Sequence, residues 1–127
     1  MSGLSDLAQL LSRLEPVLHD APYAFALTPS PIAGAFAHVG EEEGLTVVAR
    51  AALLVEAGID PGPAFARISL TVHSDLAAVG LTAAMARELA DRQISANVVA
   101  GFYHDHVFVP WDRRHDAISA LQELSHG

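Results

Sequence analysis

No cysteine occurs among the 127 residues of this chain, which excludes disulfides and thiol chemistry. Lysine is also absent, and seven arginines face fifteen acids, for a net charge of −8. Such a surface repels phosphate backbones, so nucleic acid is excluded as an expected partner. Aromatic residues make up 6% of the chain, and Trp111 is the only tryptophan. No apolar run is long enough to span a bilayer, and the first residues lack a basic region followed by an apolar stretch. The expectation is a cytoplasmic protein with no membrane partner. No G-x-S-x-G elbow and no glycine-rich phosphate loop is found, so no catalytic motif and no cofactor is expected.

What is present is mostly Ala, Leu and Val, within a hydrophobic share of 51%. That excess fits an additional apolar surface such as a subunit interface, here a homodimer, or equally an alanine-rich composition. A chain of this length is one compact unit or two very small ones. "DPGP" at residues 60–63 is the strongest breaker and divides the chain at 1–62 and 63–127.

In the first part, Ser5 can cap a helix whose Leu7, Leu10, Leu11 and Leu14 share a face. Pro16 bends or ends it, and "VLHD" reads as an irregular turn. Short strands are predicted over 23–27, 35–39 and 45–49. The two prolines and glycine of "TPSPIAG" make a loop, and 51–57 is a short helix closed by Gly58. "GEEEG" is a solvated turn.

The second part is clearer. Ala66, Ile68, Leu70 and Val72 alternate with Arg67, Ser69, Thr71 and His73, the mark of a strand with one packed face. A helix follows from Leu81, with Leu81, Ala84, Met85 and Leu89 inward. Val98, Ala100 and Phe102 share a face of the next strand. His104 and Asp105 form a turn, Val107 and Val109 lie on the return strand, and Asp112 caps a last helix. Strand–helix–strand–strand–helix is most of a ferredoxin-like βαββαβ unit. Its last strand must come from the first part or from a second subunit.

"VGLTAAMARELADRQISANVVA" resembles the ACT domain, the regulatory module of aspartokinases and other enzymes of amino-acid metabolism. Gly80 opens the helix, and Ile94 and Asn97 lead into the second strand as in that family. "EEEGLTVVARAALLVEAGI" and "ISANVVAGFYHDHVFVP" are similar to stand-alone bacterial proteins built of two tandem ACT modules. The resemblance implies an α+β fold of tandem βαββαβ modules, antiparallel sheets with helices on one face. Residues 1–62 would be a degenerate ACT-like module and 63–127 an ACT domain. It further implies a non-catalytic regulatory protein binding an amino acid or similar small ligand. The effector would lie at the loop before the helix and at the start of the second strand. On this chain those are Ser74, Asp75, Val79, Gly80, Leu81 and Thr82, then Ser95, Asn97 and Val98. The "DRPG" of many ACT domains reads "LAAVG" here.

The physics suits that assignment. Free N–H groups at a helix start attract a carboxylate, Gly80 permits close approach, and Asn97 offers both a donor and an acceptor. Two other readings compete: an oligomerisation module without ligand, and a metal site at His104 and His106. Zinc needs three or four ligands. His38 and His73 would have to join that pair in space.

Overall fold

Residues 7–71 and 80–126 are described by the computed structural model. The strand β5 (Phe65–Leu70) is its axis. Ala66, Ile68 and Leu70 are buried on one face, while Phe65, Arg67 and Ser69 face the other way. Its right-hand neighbour is β7 (Asp105–Pro110), antiparallel in register Arg67↔Phe108, and β6 (Asn97–Ala100) pairs beyond it with Asn97↔Phe108. On the left run β2 (Tyr23–Thr28), β4 (Gly44–Arg50) and β3 (Ala37–Glu41). Together with β1 (Pro16–Leu18), seven strands form one antiparallel sheet among the described residues, in the order β3-β4-β2-β5-β7-β6.

Contrary to the expected irregular turn, Pro16–Leu18 is itself a strand. It lies antiparallel to the end of β5, with Pro16↔Leu70 and Leu18↔Ile68. The His19 N–H extends the ladder to the Arg67 carbonyl at 2.9 Å. The fourth strand of the second βαββαβ unit therefore comes from the first part of the same chain. Pro16 is tolerated because it is the first residue of an edge segment.

The helices cover one face. α3 (Leu81–Asp91) presents Leu81, Met85 and Leu89, and α4 (Arg114–His126) presents Ala117, Ala120 and Leu121. These pack on Ala66, Ile68, Leu70, Val107 and Val109. The short α1 (Leu7–Ser12) adds Leu10, and Leu14 just beyond it, to the same core. Arg92 ties the end of α3 to α4 through Glu123 and also bonds Glu88 at 3.0 Å. A 3-10 turn over Trp111–Arg113 precedes α4, so Asp112 sits in that turn rather than capping the helix. Trp111 packs against the core, and the Arg114 guanidinium lies 3.9 Å from its ring centroid.

In the first part, α2 (Ala51–Glu56) covers Ala24, Val47 and Ala49 with Leu54. No helix joins β2 to β3: Pro29 and Pro31 disfavour helical backbone in the residues that precede them, and Gly34 turns at φ +86°. The loop sends Ile32 and Ala35 to the helix side and Phe36 to the other. β3 starts at Ala37 rather than Ala35. β6 ends at Ala100, so Phe102 does not share its face; it stands 70% exposed at the hairpin tip.

The helix-free face is curled. Phe36 donates its N–H to the Val48 carbonyl beside β3, four strands from β7. Laid flat, those four spacings span about 19 Å. Yet the Phe36 ring lies 5.0 Å from His106 and 5.4 Å from Phe108, both on β7. The strands must bend toward one another, and an aromatic cluster of Tyr23, Phe25, Phe36, Phe65 and Phe108 fills the hollow.

Candidate functional site

Two regions combine polar side chains with access: the sequence-predicted residues, which the fold divides between the start of α3 and the start of β6 beyond that helix's far end, and the rim of the curled face.

At the first, Gly80 caps α3 at φ +100°, a conformation that glycine adopts freely. A Cβ there would lie 3.1 Å from Leu7 Cδ2, so the close approach that glycine permits is taken up by α1. Leu81 is buried in the core, and only its backbone can serve a ligand. Thr82, Ser95 and Asn97 are exposed, and Val98 packs from the edge against the helix-side core. Asn97 lies on the curled face at the last strand of the sheet and has no side-chain partner among the described residues. Ser74, Asp75 and Val79 lie outside the described residues.

The second place was not foreseen from sequence. A cavity of about 500 Å³ opens between the 29–36 loop and the β4–α2 junction, lined by Tyr23, Phe36, Arg50, Leu53, Glu56 and Arg67. The Arg67 guanidinium donates to the Tyr23 hydroxyl at 2.9 Å and lies 4.3 Å from the Phe36 ring centroid. Burial pushes the Tyr23 hydroxyl up, but the hydrogen bonds and charges of Arg67 and Arg50 outweigh it and hold its pKa below the ordinary value. No sequence signal joins Phe36 to Arg67; only the curl of the sheet brings them together.

Deeper on this face, Ser69 Oγ bridges His19 Nε2 at 2.7 Å and His106 Nδ1 at 2.9 Å. Burial first, then the charge of Arg67, lowers the His106 pKa to about 4, and the same two causes lower that of His19. The unfolded chain protonates an imidazole near pH 6.5, whereas folded His106 does so only near 4. Its contribution to stability is therefore full above pH 6.5 and is lost as pH falls toward 4. After allowance for solvent screening of a half-exposed ring, the loss is about 1 kcal/mol. Urea unfolding at pH 7 and pH 4.5 should show that loss, and the His106→Gln protein should show a correspondingly smaller one.

The metal reading gains no support. His38 accepts a hydrogen bond from the Ile32 N–H at 3.0 Å, on the strand at the other end of the sheet order from β6. Among the described residues no three His, Asp or Glu side chains converge, and His73 lies outside them.

Residues 2–65 and 66–123 each match a family model described as an ACT domain. Among solved structures, a Vibrio cholerae protein of unknown function, described as a possible transport protein, is 41% identical. That match covers 98% of this chain and 99% of that one, at a TM-score of 0.84. A protein from Agrobacterium tumefaciens is 16% identical over 89% of this chain and 90% of its own, at 0.72. An aspartate kinase from Clostridium acetobutylicum is 8% identical over 87% of this chain and 34% of its own, at 0.61, a likeness of fold alone. No curated protein matches the chain significantly.

Proposed function

Because the chain belongs to the ACT domain family, whose members are regulatory modules for small molecules, we propose that it is a non-catalytic regulatory protein that binds an amino acid. The ligand would lie between the start of α3 in one copy of the chain and the start of β6 in a second copy, which closes the site. Exposed Asn97 on the last strand of the sheet is the observation that carries this reading. Its amide offers a donor and an acceptor, which suits an amino acid's carboxylate and ammonium. The backbone N–H groups following Gly80 add positive partial charge. Ser74, Asp75, Val79, Thr82 and Ser95 would complete the surround. Among the described residues no helix is long and apolar enough to cross a membrane, and we place the protein in the cytoplasm.

Regulation would follow from population shift: a ligand held between two copies favours the arrangement that closes on it. Thermal unfolding with each of the twenty amino acids at millimolar concentration tests this. A ligand at a hundred times its dissociation constant adds about 2.7 kcal/mol. One amino acid should raise the midpoint, and Asn97→Ala should remove that rise while leaving the ligand-free midpoint unchanged. No shift with any amino acid would defeat the reading and leave a ligand-free oligomerisation module.

A further inference from the structure

The geometry points to a second, separate binding site: the cavity between the 29–36 loop and the β4–α2 junction takes a small carboxylic acid with an apolar body. Its carboxylate would sit against the guanidinium groups of Arg50 and Arg67. This inference does not depend on the edge site at Asn97.

Fifteen acids are available to seven arginines. Among the described residues, however, neither Arg50 nor Arg67 has a carboxylate within ion-pair distance. The ion pairs found there belong to Arg92 and Arg113. What sets Arg50 and Arg67 apart is that both line one cavity and both act on one hydroxyl, that of Tyr23. Arg67 is held by the faces of Phe36 and Tyr23 rather than by an anion. Its Nε is buried with no acceptor among the described residues. A donor left so costs stability, and a native fold that keeps one calls for a reason. The lowered histidines on the same face agree with this: after burial, the charge of Arg67 is the next largest cause at each. The hollow is locally positive in a strongly acidic protein, and an anion there relieves the excess.

Shape and the remaining lining narrow the ligand. At about 500 Å³ the cavity lies within the usual range for small-molecule sites, roughly 300–1,000 Å³. Phe36 and Leu53 offer apolar contact. Glu56 at the rim disfavours a second anionic group and accepts a hydrogen bond from an ammonium or hydroxyl. Planar guanidinium groups match a carboxylate through paired N–H donors. The class is therefore a monocarboxylate with an apolar body, with or without an amino group.

Isothermal titration of the full chain with four probes tests this: L-phenylalanine, phenylpyruvate, phenethylamine and inorganic phosphate. Phenylalanine and phenylpyruvate should bind, and phenethylamine, lacking the carboxylate, should not. The Arg Nε–Hε signals of Arg50 and Arg67 in nitrogen-labelled protein should shift with either acid. Removing one charged donor should weaken binding roughly tenfold, so Arg50→Gln, at an exposed position, should show that loss. Arg50→Lys, should the glutamine variant fold poorly, should lose part of it. Leu27→Ala, at an exposed position outside the cavity lining, should leave the affinity unchanged. Silence from both acids, with unmoved arginine signals, overturns the site. Phosphate binding as tightly as the acids overturns the ligand class. Binding that survives Arg50→Gln but vanishes in Asn97→Ala places the ligand at the edge, which sinks this inference and leaves the proposed function standing.

Discussion

Replacing Phe108 with alanine should cost about 3–5 kcal/mol, the range for truncating a buried aromatic. The ring is fully buried, and it meets Tyr23 at 5.7 Å, Phe25 at 5.4 Å and Phe36 at 5.4 Å, all edge-on. Those three partners come from β2 and the 29–36 loop, whereas Phe108 comes from β7. The residue thus fastens one ACT module to the other from the face that no helix covers. Edge-to-face pairs add to the loss of apolar area, and the hollow they fill is too well lined to collapse without moving strands. Since small domains retain only about 5–15 kcal/mol, the variant should unfold at much lower urea. Leu27→Ala, at a site 62% exposed on β2, should change stability by less than about 0.5 kcal/mol. Equal losses in both variants would show that the aromatic cluster does not join the halves. The cavity shares Tyr23 and Phe36 with the cluster, so Phe108→Ala should also loosen its wall.

A comparable loss is expected on removing residues 1–18. Two effects combine. β5 loses the strand that pairs with its end, along with the bonds that Thr71 makes to the Glu15 carbonyl from its N–H and its hydroxyl. The helix core loses Leu10 and Leu14, both almost wholly buried, each worth roughly 1.5–3 kcal/mol of burial. The remainder should lack a cooperative unfolding transition and show collapsed amide dispersion by nuclear magnetic resonance. Val17→Thr in the full chain is the control. Val17 is 45% exposed, so the strand should tolerate it within about 0.5 kcal/mol. A shortened chain that keeps a sharp transition would mean that residues 63–127 close their sheet unaided.

Much of the fold could be read from periodicity because its signals are local. The alternation of Ala66, Ile68 and Leu70 with Arg67 and Ser69 foretold the strand and its helix-packed face, but not that the other face is also packed, with Ser69 buried beside an aromatic cluster. Leu81, Met85 and Leu89 foretold the buried stripe of α3, as found. The family resemblance, and with it the ferredoxin-like layout, followed from Gly80, Ile94 and Asn97. Pro16–Leu18 escaped because nothing local marks it as a strand: three residues behind a proline become one only through Ile68, Ser69 and Leu70. Phe102 was misplaced because alternation does not tell where a hairpin turns, and Gly101 N–H to His104 carbonyl, at 2.9 Å, closes it early. At the candidate site, Asn97 was visible as a polar residue at a strand start. The Arg50–Arg67–Tyr23–Phe36 cavity was not, since it exists only where a curled sheet brings distant strands face to face.

The contribution of the first strand to the second module has a consequence in time. Glu15 and Thr71 stand 56 residues apart in the chain. At roughly 5–20 residues per second, a ribosome needs about 3–11 seconds to cover that interval. Through it, Leu10 and Leu14 have no surface to rest on, and Pro16–Leu18 has no strand to join. β7 and α4, which complete that surface, are made later still. A segment made well before β7 is thus among the last to settle, and a chain stalled before β7 holds a sticky apolar helix with nowhere to dock. Assembly in this protein runs against the order of its synthesis.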